Sequence, residues 1–320
     1  MNHLPPRAPR SWNLRRLGYG PAALVATALV LSASPALAAE SAPRAPRHAP
    51  SPTLAATQRH APSGAAAASR WMRLSGAPLT VFAHRGASSA APENTLVADE
   101  VARRGGTKWI ENDVQPCKDG VPYVLHDATV DRTTDGTGAL RSLTSDQVNA
   151  LDAGSWFAPA FAGARVPTLA AQLTDLRTRG GNLLLEIKGR QTEAEVERIV
   201  REVRDQNMTA RVFVQSFEVT SLRWVHELAP ELPLGLLRDS LDADPVAVAQ
   251  DLHLAAYNVS DKGLSVRPAA LDELHAAGVA VNVWTVDSSA RWKALDELGV
   301  DGIITNRPTE LTGWVAGRQA

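Results

Sequence analysis

The stretch LLLEIKGRQTEAEVERIVREVRDQ, residues 183–206, joins a short apolar run to a segment with helical periodicity. Leu183–Ile187 is compact, apolar and flanked by polar residues, which predicts a buried strand. Glu193–Gln206 places its apolar residues at the spacing of one helix face, which predicts an amphipathic helix. A strand followed by such a helix is the repeating unit of folds with a parallel sheet.

The same unit recurs from residue 79 onward. The sequence predicts eight strands, which are Thr80–His84, Trp109–Val114, Leu183–Ile187, Val212–Ser216, Leu234–Leu237, Ala256–Val259, Val279–Trp284 and Gly302–Thr305. Further amphipathic segments lie between them, among them Thr95–Arg104, Pro268–Ala277 and Ala290–Leu298. Eight such units over about 240 residues predict a (β/α)8 TIM barrel occupying residues 71–320. A doubly wound open sheet is the alternative, and it is disfavoured because no glycine-rich dinucleotide motif follows the first strand.

One segment interrupts this alternation. Lys118-Asp119-Gly120 is a turn signal after the second strand, and Val121–Leu125 then predicts a returning strand. If the chain folds back there, the numbers of facing residues sum to about 238, so Asn112 faces His126. We predict an insertion of about 114–167 over the barrel mouth, where such segments shape substrate access.

Charge divides the chain into two parts. Residues 1–70 carry eight arginines, no lysine and one acidic residue, a net charge of +7. The remaining residues hold 25 basic and 33 acidic side chains, a net charge of -8, which argues against a dedicated nucleic-acid-binding protein. The single cysteine, Cys117, excludes an intrachain disulfide framework and a cysteine-based metal knuckle.

The N-terminal 38 residues have the pattern of a secretory signal. A basic start that includes Arg15-Arg16 precedes an uncharged stretch, and Ala36-Leu37-Ala38 provides a small-x-small cleavage site. We expect cleavage after Ala38, secretion, and no stable membrane anchor afterwards. An uncleaved anchor is disfavoured because the apolar centre Ala22–Leu31 is short for a bilayer span. The choice between the general and the twin-arginine export route stays open.

Residues 39–70 are rich in Ala, Pro, Ser, Arg and His and have no hydrophobic periodicity. Such a composition buries too little apolar surface to offset chain entropy. We predict a disordered Pro/Ala-rich linker there.

Four places near strand ends carry polar residues where a barrel interior is normally apolar. The first strand ends in His84-Arg85, and the returning strand ends in His126-Asp127. The second and third strands each carry a same-face pair, Glu111 with Asp113 and Glu186 with Lys188. Active sites of barrels of this kind lie at the C-terminal ends of the strands, so we predict an active site there.

The residue types at these positions favour phosphate chemistry. Three carboxylates close together need a counter-ion, and oxygen ligands suit Ca²⁺ or Mg²⁺ rather than zinc. Two imidazoles exchange protons near neutral pH, while a cation and a guanidinium stabilise charge developing on phosphorus.

Taken together, the motifs resemble those of the glycerophosphodiester phosphodiesterase family over residues 79–310. The matching segments are His84-Arg85-Gly86, Pro92-Glu93-Asn94-Thr95, Glu111-x-Asp113, Lys118-Asp119-Gly120-x-Pro122, His126-Asp127, DRTTDGTG at 131–138, Glu186-x-Lys188 and GVDGIITNRP at 299–308. Asn112 and Asn306 depart from the usual residues at their positions, and we expect neither to touch the chemistry.

This resemblance implies hydrolysis of small-molecule glycerophosphodiesters to an alcohol and sn-glycerol 3-phosphate. It implies that one divalent cation, Ca²⁺ or Mg²⁺, binds Glu111, Asp113 and Glu186. By the same resemblance His84 and His126 act as general acid and base, in an order left open. The resemblance also implies four substrate contacts. Arg85 and Lys188 would bind the phosphate, and Phe217 and Trp284 would form the pocket wall. A buried core role stays open for Trp284.

Glu93 and Asn94 open the first helix, where they either cap it or support the site. Two other functions remain as alternatives. One is a sphingomyelinase D-like phospholipase or lyase, which the missing disulfide disfavours, and the other is a non-catalytic secreted binding module. The physiological diester, either a deacylated phospholipid or a glycerol-phosphate wall polymer, and the oligomeric state are left open.

Overall fold

The computed structural model describes residues 70–318, so the predicted signal peptide and the linker up to residue 69 lie outside the described residues. Nine strands occur within 70–318: β1 (Thr80–His84), β2 (Trp109–Pro116), β3 (Pro122–Val124), β4 (Asn182–Ile187), β5 (Val212–Ser216), β6 (Leu234–Arg238), β7 (Ala256–Ser260), β8 (Ala280–Trp284) and β9 (Gly302–Thr305). Eight of them pair in parallel in the order β1, β2, β4, β5, β6, β7, β8, β9, and β9 pairs with β1 again. The predicted (β/α)8 barrel is confirmed.

Helices connect the strands and cover the outside of the barrel. Within 70–318 they are α1 (Leu96–Arg104), α2 (Ser145–Ala150), α3 (Leu169–Arg179), α4 (Glu193–Asp205), α5 (Val219–Leu228), α6 (Pro245–Asp251), α7 (Asp261–Val266), α8 (Ala270–Ala276), α9 (Ser289–Leu298) and α10 (Pro308–Gly317). Thr192 begins α4 with a capping box, in which its side chain and that of Glu195 bond each other's backbone N–H groups. None of the helices in this part of the chain is long and apolar enough to cross a bilayer.

The largest apolar core lies between the strands and the helices, and a smaller one fills the barrel interior. Phe82, Leu184 and Phe213 belong to the interior core. Trp71 closes it at the N-terminal end of the barrel, with its ring centroid 5.7 Å from that of Trp109 and 4.7 Å from that of Phe213. The interior is therefore packed below the carboxyl ends of the strands, where polar side chains replace apolar ones.

Asn112 faces the helices rather than the barrel interior, because it alternates with its neighbours on β2. Its side-chain amide donates to Oε1 of Gln172 on α3, and Nε2 of Gln172 donates to Oδ2 of Asp99 on α1 at 2.7 Å. All three residues are buried. Burial raises the pKa of Asp99 to about 7, against the lowering effect of the hydrogen bond from Gln172.

The predicted hairpin is confirmed with its register. β3 runs antiparallel to β2, and the pairs Val114–Val124, Gln115–Tyr123 and Pro116–Pro122 each sum to 238. Gly120 adopts the left-handed φ of 71° that the turn requires. The segment that follows has a small apolar core of its own, to which Tyr123, Val130, Leu140 and Val148 contribute. It is more regular than its sequence pattern indicates, since α2 and two 3₁₀ turns, Leu140–Ser142 and Pro159–Phe161, lie within it.

Candidate active site

The turn after β1 presents backbone as well as side chains to the barrel mouth. Arg85 adopts a left-handed φ of 57°, and its N–H donates to Oε2 of Glu111 at 3.2 Å. Gly86 follows at φ 79°, where a Cβ would lie 2.6 Å from the Cβ of Ala98 on α1. Glycine is needed at that position because the turn packs directly on the helix.

Two neighbouring strands place the three predicted metal ligands together. Glu111 and Asp113 share one face of β2, and Asp113 lies beside Glu186 in the β2–β4 register. One carboxylate oxygen from each residue lies within 4.8 Å of the other two, and all three residues are buried. The predicted cluster is therefore formed by strand register alone.

The electrostatics of this cluster reflect crowded like charges. Burial, and then the charges of Asp113 and Glu186, raise the pKa of Glu111 well above its usual value. Burial and Asp113 raise the pKa of Glu186 to about 8. Burial also opposes ionisation of Asp113, but Lys188 and Arg85 outweigh it and lower its pKa to about 2. Ionised carboxylates in this pocket are destabilised by desolvation and by mutual repulsion. A bound cation would offset both effects.

The donor set fits a hard divalent cation. Oδ1 of Asp113 is buried and accepts no hydrogen bond from any residue of 70–318, and Lys188 Nζ lies 3.4 Å from it. Lys188 Nζ also lies 2.9 Å from Oε1 of Glu186. A buried carboxylate oxygen that accepts no hydrogen bond and lies among other carboxylates suits a hard cation such as Ca²⁺ or Mg²⁺.

His84 is oriented by Asn306, which follows β9, the last strand in the sequence. Nδ2 of Asn306 donates to Asp287 at 2.7 Å, so Oδ1 of Asn306 faces Nδ1 of His84 and accepts a hydrogen bond from its N–H at 2.7 Å. The expectation that Asn306 does not touch the chemistry is therefore wrong, because β9 pairs with β1 and brings residue 306 beside residue 84. Burial, and then Arg85, lower the pKa of His84 to about 4. The imidazole is neutral at neutral pH.

His126 is delivered by the hairpin arm. The N–H of Leu125 donates to the carbonyl of Asp113 at 2.9 Å, which fixes the arm against β2. Nε2 of Gln115 reaches the carbonyls of Leu125, His126 and Asp127 at 2.8, 2.9 and 2.9 Å. A carboxylate oxygen of Asp127 lies 2.7 Å from Nδ1 of His126. Since a carboxylate only accepts, Nδ1 carries the proton.

Both imidazoles thus use Nδ1 for orientation, and neither Nε2 bonds another residue of the described part of the chain. Both open onto one cavity of about 270 Å³. Eight of the nine predicted site residues line it, namely His84, Arg85, Glu111, His126, Glu186, Lys188, Phe217 and Trp284. The ninth, Asp113, lies in the carboxylate cluster.

Two aromatic side chains form the apolar wall of this cavity. Phe217 and Trp284 meet edge to face with ring centroids 5.5 Å apart. Trp284 is half-buried and donates Nε1–H to the carbonyl of Asn258 at 2.9 Å, which holds its ring in the wall. Lys188 Nζ lies 5.8 Å from the Phe217 ring centroid. The tryptophan borders the cavity and also packs against the interior core of the barrel.

Glu93 and Asn94 support the site rather than cap α1. Thr95 is the N-cap, and its hydroxyl accepts from the N–H of Ala98 at 3.2 Å. Nδ2 of Asn94 donates to Oδ2 of Asp113 at 2.9 Å, and Oε1 of Glu93 accepts from Arg85 at 2.9 Å.

Several supporting residues have no assigned role in the sequence analysis. Gln215 on β5 donates to Oε1 of Glu111 at 3.0 Å, and Gln115 holds the hairpin arm as described. Both are polar residues on inward positions of buried strands, and that signal is visible in the sequence. Asp287 lies in a loop with no such signal.

Comparison with known proteins agrees with this geometry. The glycerophosphoryl diester phosphodiesterase family matches residues 84–310. A glycerophosphodiester phosphodiesterase of Caldanaerobacter subterraneus is 36% identical over 237 residues, which are 73% of this chain and 97% of that protein. One from Bacillus subtilis is 32% identical over 255 residues, 73% of this chain and 86% of that protein.

Solved structures show the same barrel. The glycerophosphodiester phosphodiesterase of Agrobacterium tumefaciens superimposes with a TM-score of 0.65 at 32% identity, covering 73% of this chain and 99% of that one. A phosphodiesterase of Oleispira antarctica, solved in complex with its product sn-glycerol-3-phosphate, gives a TM-score of 0.69 at 26% identity, covering 75% and 97%. This chain belongs to the glycerophosphoryl diester phosphodiesterase family and is a phosphoric diester hydrolase.

Proposed function

We propose that this protein hydrolyses glycerophosphodiesters to an alcohol and sn-glycerol 3-phosphate in a reaction that depends on a divalent cation. The observation that carries the proposal is that two oriented imidazoles open onto one cavity beside a buried three-carboxylate cluster. The Oleispira relative, bound to sn-glycerol-3-phosphate, supports a small-molecule substrate of this kind.

Glu111, Asp113 and Glu186 would hold Ca²⁺ or Mg²⁺. The bound cation would neutralise charge on the phosphate oxygens. Arg85 and Lys188 line the same cavity and add positive charge there, although both also pair with carboxylates of the cluster, at 3.3 Å for Arg85 with Asp113 and 2.9 Å for Lys188 with Glu186. A phosphodiester therefore enters a site whose cations are already oriented.

His84 and His126 divide the proton transfers. Each imidazole keeps a proton on Nδ1 and offers Nε2 to the cavity, so a neutral ring accepts a proton there and a protonated ring donates one. The lowered pKa of His84 keeps that ring neutral and suits it to accept a proton from the nucleophile, which is either water or the 2-hydroxyl of the glycerol. His126 then protonates the departing alkoxide. Where the 2-hydroxyl attacks, water then opens the cyclic phosphate to give sn-glycerol 3-phosphate. Phe217 and Trp284 pack against the glycerol carbons.

The proposal extends to the cellular location. A basic start, an apolar stretch and the site Ala36-Leu37-Ala38 support export and cleavage after Ala38. The mature enzyme would then act outside the cell.

Incubation of the purified protein with glycerophosphocholine, with and without EDTA, tests the activity. We expect release of sn-glycerol 3-phosphate and choline, loss of turnover after chelation, and recovery on adding Ca²⁺ or Mg²⁺. Absence of glycerol 3-phosphate would refute the proposed hydrolysis, and a cyclic phosphate as final product would indicate a lyase instead. Full activity after exhaustive chelation would refute the cation dependence alone.

A further inference from the structure

The segment DRTTDGTG, residues 131–138, carries an arginine that binds two carboxylates at the edge of the active site. Nε and Nη2 of Arg132 donate to the two oxygens of Asp127 at 2.7 and 3.0 Å. Nη1 and Nη2 donate to the two oxygens of Glu93, both at 2.8 Å. The guanidinium is therefore bidentate toward both acids, a geometry that fixes direction as well as distance.

Each of these carboxylates holds a different group of the site. Oδ1 of Asp127 lies 2.7 Å from Nδ1 of His126, and Oε1 of Glu93 accepts from Arg85 at 2.9 Å. His126 lies on the hairpin arm, whereas Arg85 lies in the turn after β1. Arg132 is thus the link between two groups that reach the cavity from separate parts of the chain.

Solvent screens the two ion pairs of Arg132 to different degrees. The side chains of Arg132 and Asp127 are 45% and 30% exposed, so this pair adds little to folding stability, whereas the side chain of Glu93 is 13% exposed and its pair is better shielded. Orientation is the property that a planar guanidinium adds here, since it constrains two carboxylates in one plane.

The loop around Arg132 is ordered by its own hydrogen bonds. Oδ2 of Asp131 accepts from the N–H of Gly138 at 2.9 Å, and the hydroxyl of Thr134 donates to the carbonyl of Val130 at 2.6 Å. The N–H of Val130 donates to the carbonyl of Gly138 at 3.0 Å. None of these bonds involves the Arg132 side chain, so we expect the loop to keep its conformation when that side chain is replaced.

We propose that Arg132 is a positioning residue that aligns His126, through Asp127, with Arg85, through Glu93. The inference rests on the proposed function, because it assigns the residue that orients the proposed proton-transfer and phosphate-binding groups toward one phosphodiester. Loss of Arg132 leaves both groups present but free to turn, and a misplacement of about 1 Å costs about 10²-fold in rate.

The test compares Arg132→Gln with Arg141→Gln. Arg141 is a matched control, because it lies in the same insertion, is 47% exposed, and pairs with Glu195 at 2.6 Å away from the cavity. On glycerophosphocholine we expect kcat/KM of Arg132→Gln to fall about 10²-fold, chiefly through kcat. Arg132→Lys should not restore it, because an ammonium group cannot bind two carboxylates bidentately. Arg141→Gln should stay within about twofold of the wild type.

Two further readouts separate positioning from a general loss of structure. Guanidinium chloride at millimolar concentration should partly restore the turnover of Arg132→Ala and leave that of Arg141→Ala unchanged. In a double-mutant cycle, Arg132→Gln should cost much less in an Asp127→Asn background than in the wild type, because both act through His126.

Failure of the positioning role can be distinguished from failure of the proposed function. If the wild-type protein releases no glycerol 3-phosphate, the proposed function itself is refuted. An active wild type combined with Arg132→Gln activity within twofold of it overturns the positioning role. The same conclusion follows if Arg132→Gln melts below the assay temperature while Arg141→Gln does not, or if the effects of Arg132→Gln and Asp127→Asn simply add.

Discussion

His84 donates from Nδ1 to Oδ1 of Asn306 over 2.7 Å, although 222 positions separate the two residues in the chain. Asp287 accepts the amide hydrogen of Asn306 and so prevents the amide from turning around. Closure of the barrel between β9 and β1 therefore decides which nitrogen of the imidazole faces the cavity.

Replacement of Asn306 by alanine should release the His84 ring. We expect kcat/KM on glycerophosphocholine to fall about 10²-fold, because Nε2 is no longer held toward the cavity. Ser88→Ala is the control, since the Ser88 hydroxyl lies 3.0 Å from Oδ1 of Asn306 and 2.8 Å from the backbone carbonyl of His84 but does not bond the imidazole ring. Steady-state kinetics with both variants check this expectation. Equal losses in the two would contradict it.

Glu111→Gln should abolish turnover while the fold stays intact. The substitution removes one of three clustered carboxylates, and burial together with Asp113 already raises the pKa of Glu111. The melting temperature of the metal-free variant should therefore be within about 4 °C of the metal-free wild type, or above it. Calorimetry in EDTA and activity with Ca²⁺ or Mg²⁺ provide the two measurements. A variant with wild-type turnover would remove Glu111 from the proposed ligand set.

The two imidazoles should respond differently to the leaving group. An alkoxide needs a general acid, whereas nitrophenolate is stable at neutral pH and hardly needs one. We expect alanine at one of His84 and His126 to cost about 10²–10⁴-fold on an alkyl diester and to recover largely on a nitrophenyl diester. The lowered pKa of His84 makes His126 the expected acid. If both variants lose the same factor on both substrates, the imidazoles only position the phosphate.

The buried carboxyl of Asp99 should make stability depend on pH. Burial raises its pKa from 3.8 to about 7, so the folded state keeps a proton that the unfolded chain releases. Its contribution to the free energy of unfolding is therefore highest below pH 4, falls as the pH rises toward 7, and is level above that. Relative to Asp99→Asn, the wild type should lose about 3 kcal/mol between pH 5 and pH 8. Urea titrations at the two values measure this difference, and parallel pH dependences would contradict it.

Deletion of residues 39–70 should leave activity and melting temperature nearly unchanged, because that composition lacks the apolar surface needed for packing. Deletion of 39–74 should lower the melting temperature by about 5 °C or more, since it removes a half-buried aromatic side chain and an ion pair. The lost groups are Trp71, which packs on Trp109 and Phe213, and Arg73, which lies 2.5 Å from Asp296. Thermal unfolding of both truncated proteins checks the predicted boundary between the linker and the barrel domain. A clear loss with the shorter deletion would show that the linker docks.

Local pattern determined most of the barrel. The predicted strands Thr80–His84, Val212–Ser216 and Gly302–Thr305 have their bounds unchanged, because alternation and apolar runs act over a few residues. The carboxylate pair Glu111 and Asp113 was also predictable, since a spacing of two puts both on one face of any strand. The hairpin register followed from its turn, which sits at a defined distance from both arms.

Contacts between distant segments were decided by the tertiary structure alone. No local pattern indicates that Asn306 meets His84, that Gln215 bonds Glu111, or that Arg132 joins Asp127 to Glu93. Each of these contacts depends on strand order around the closed barrel or on how the insertion folds over its mouth. The sequence alone therefore predicted the imidazoles, carboxylates and cationic side chains of the site, but not the residues that orient them. Only the folded chain decided their orientation, because a hydrogen bond depends on direction and distance, and sequence spacing specifies neither across separate elements.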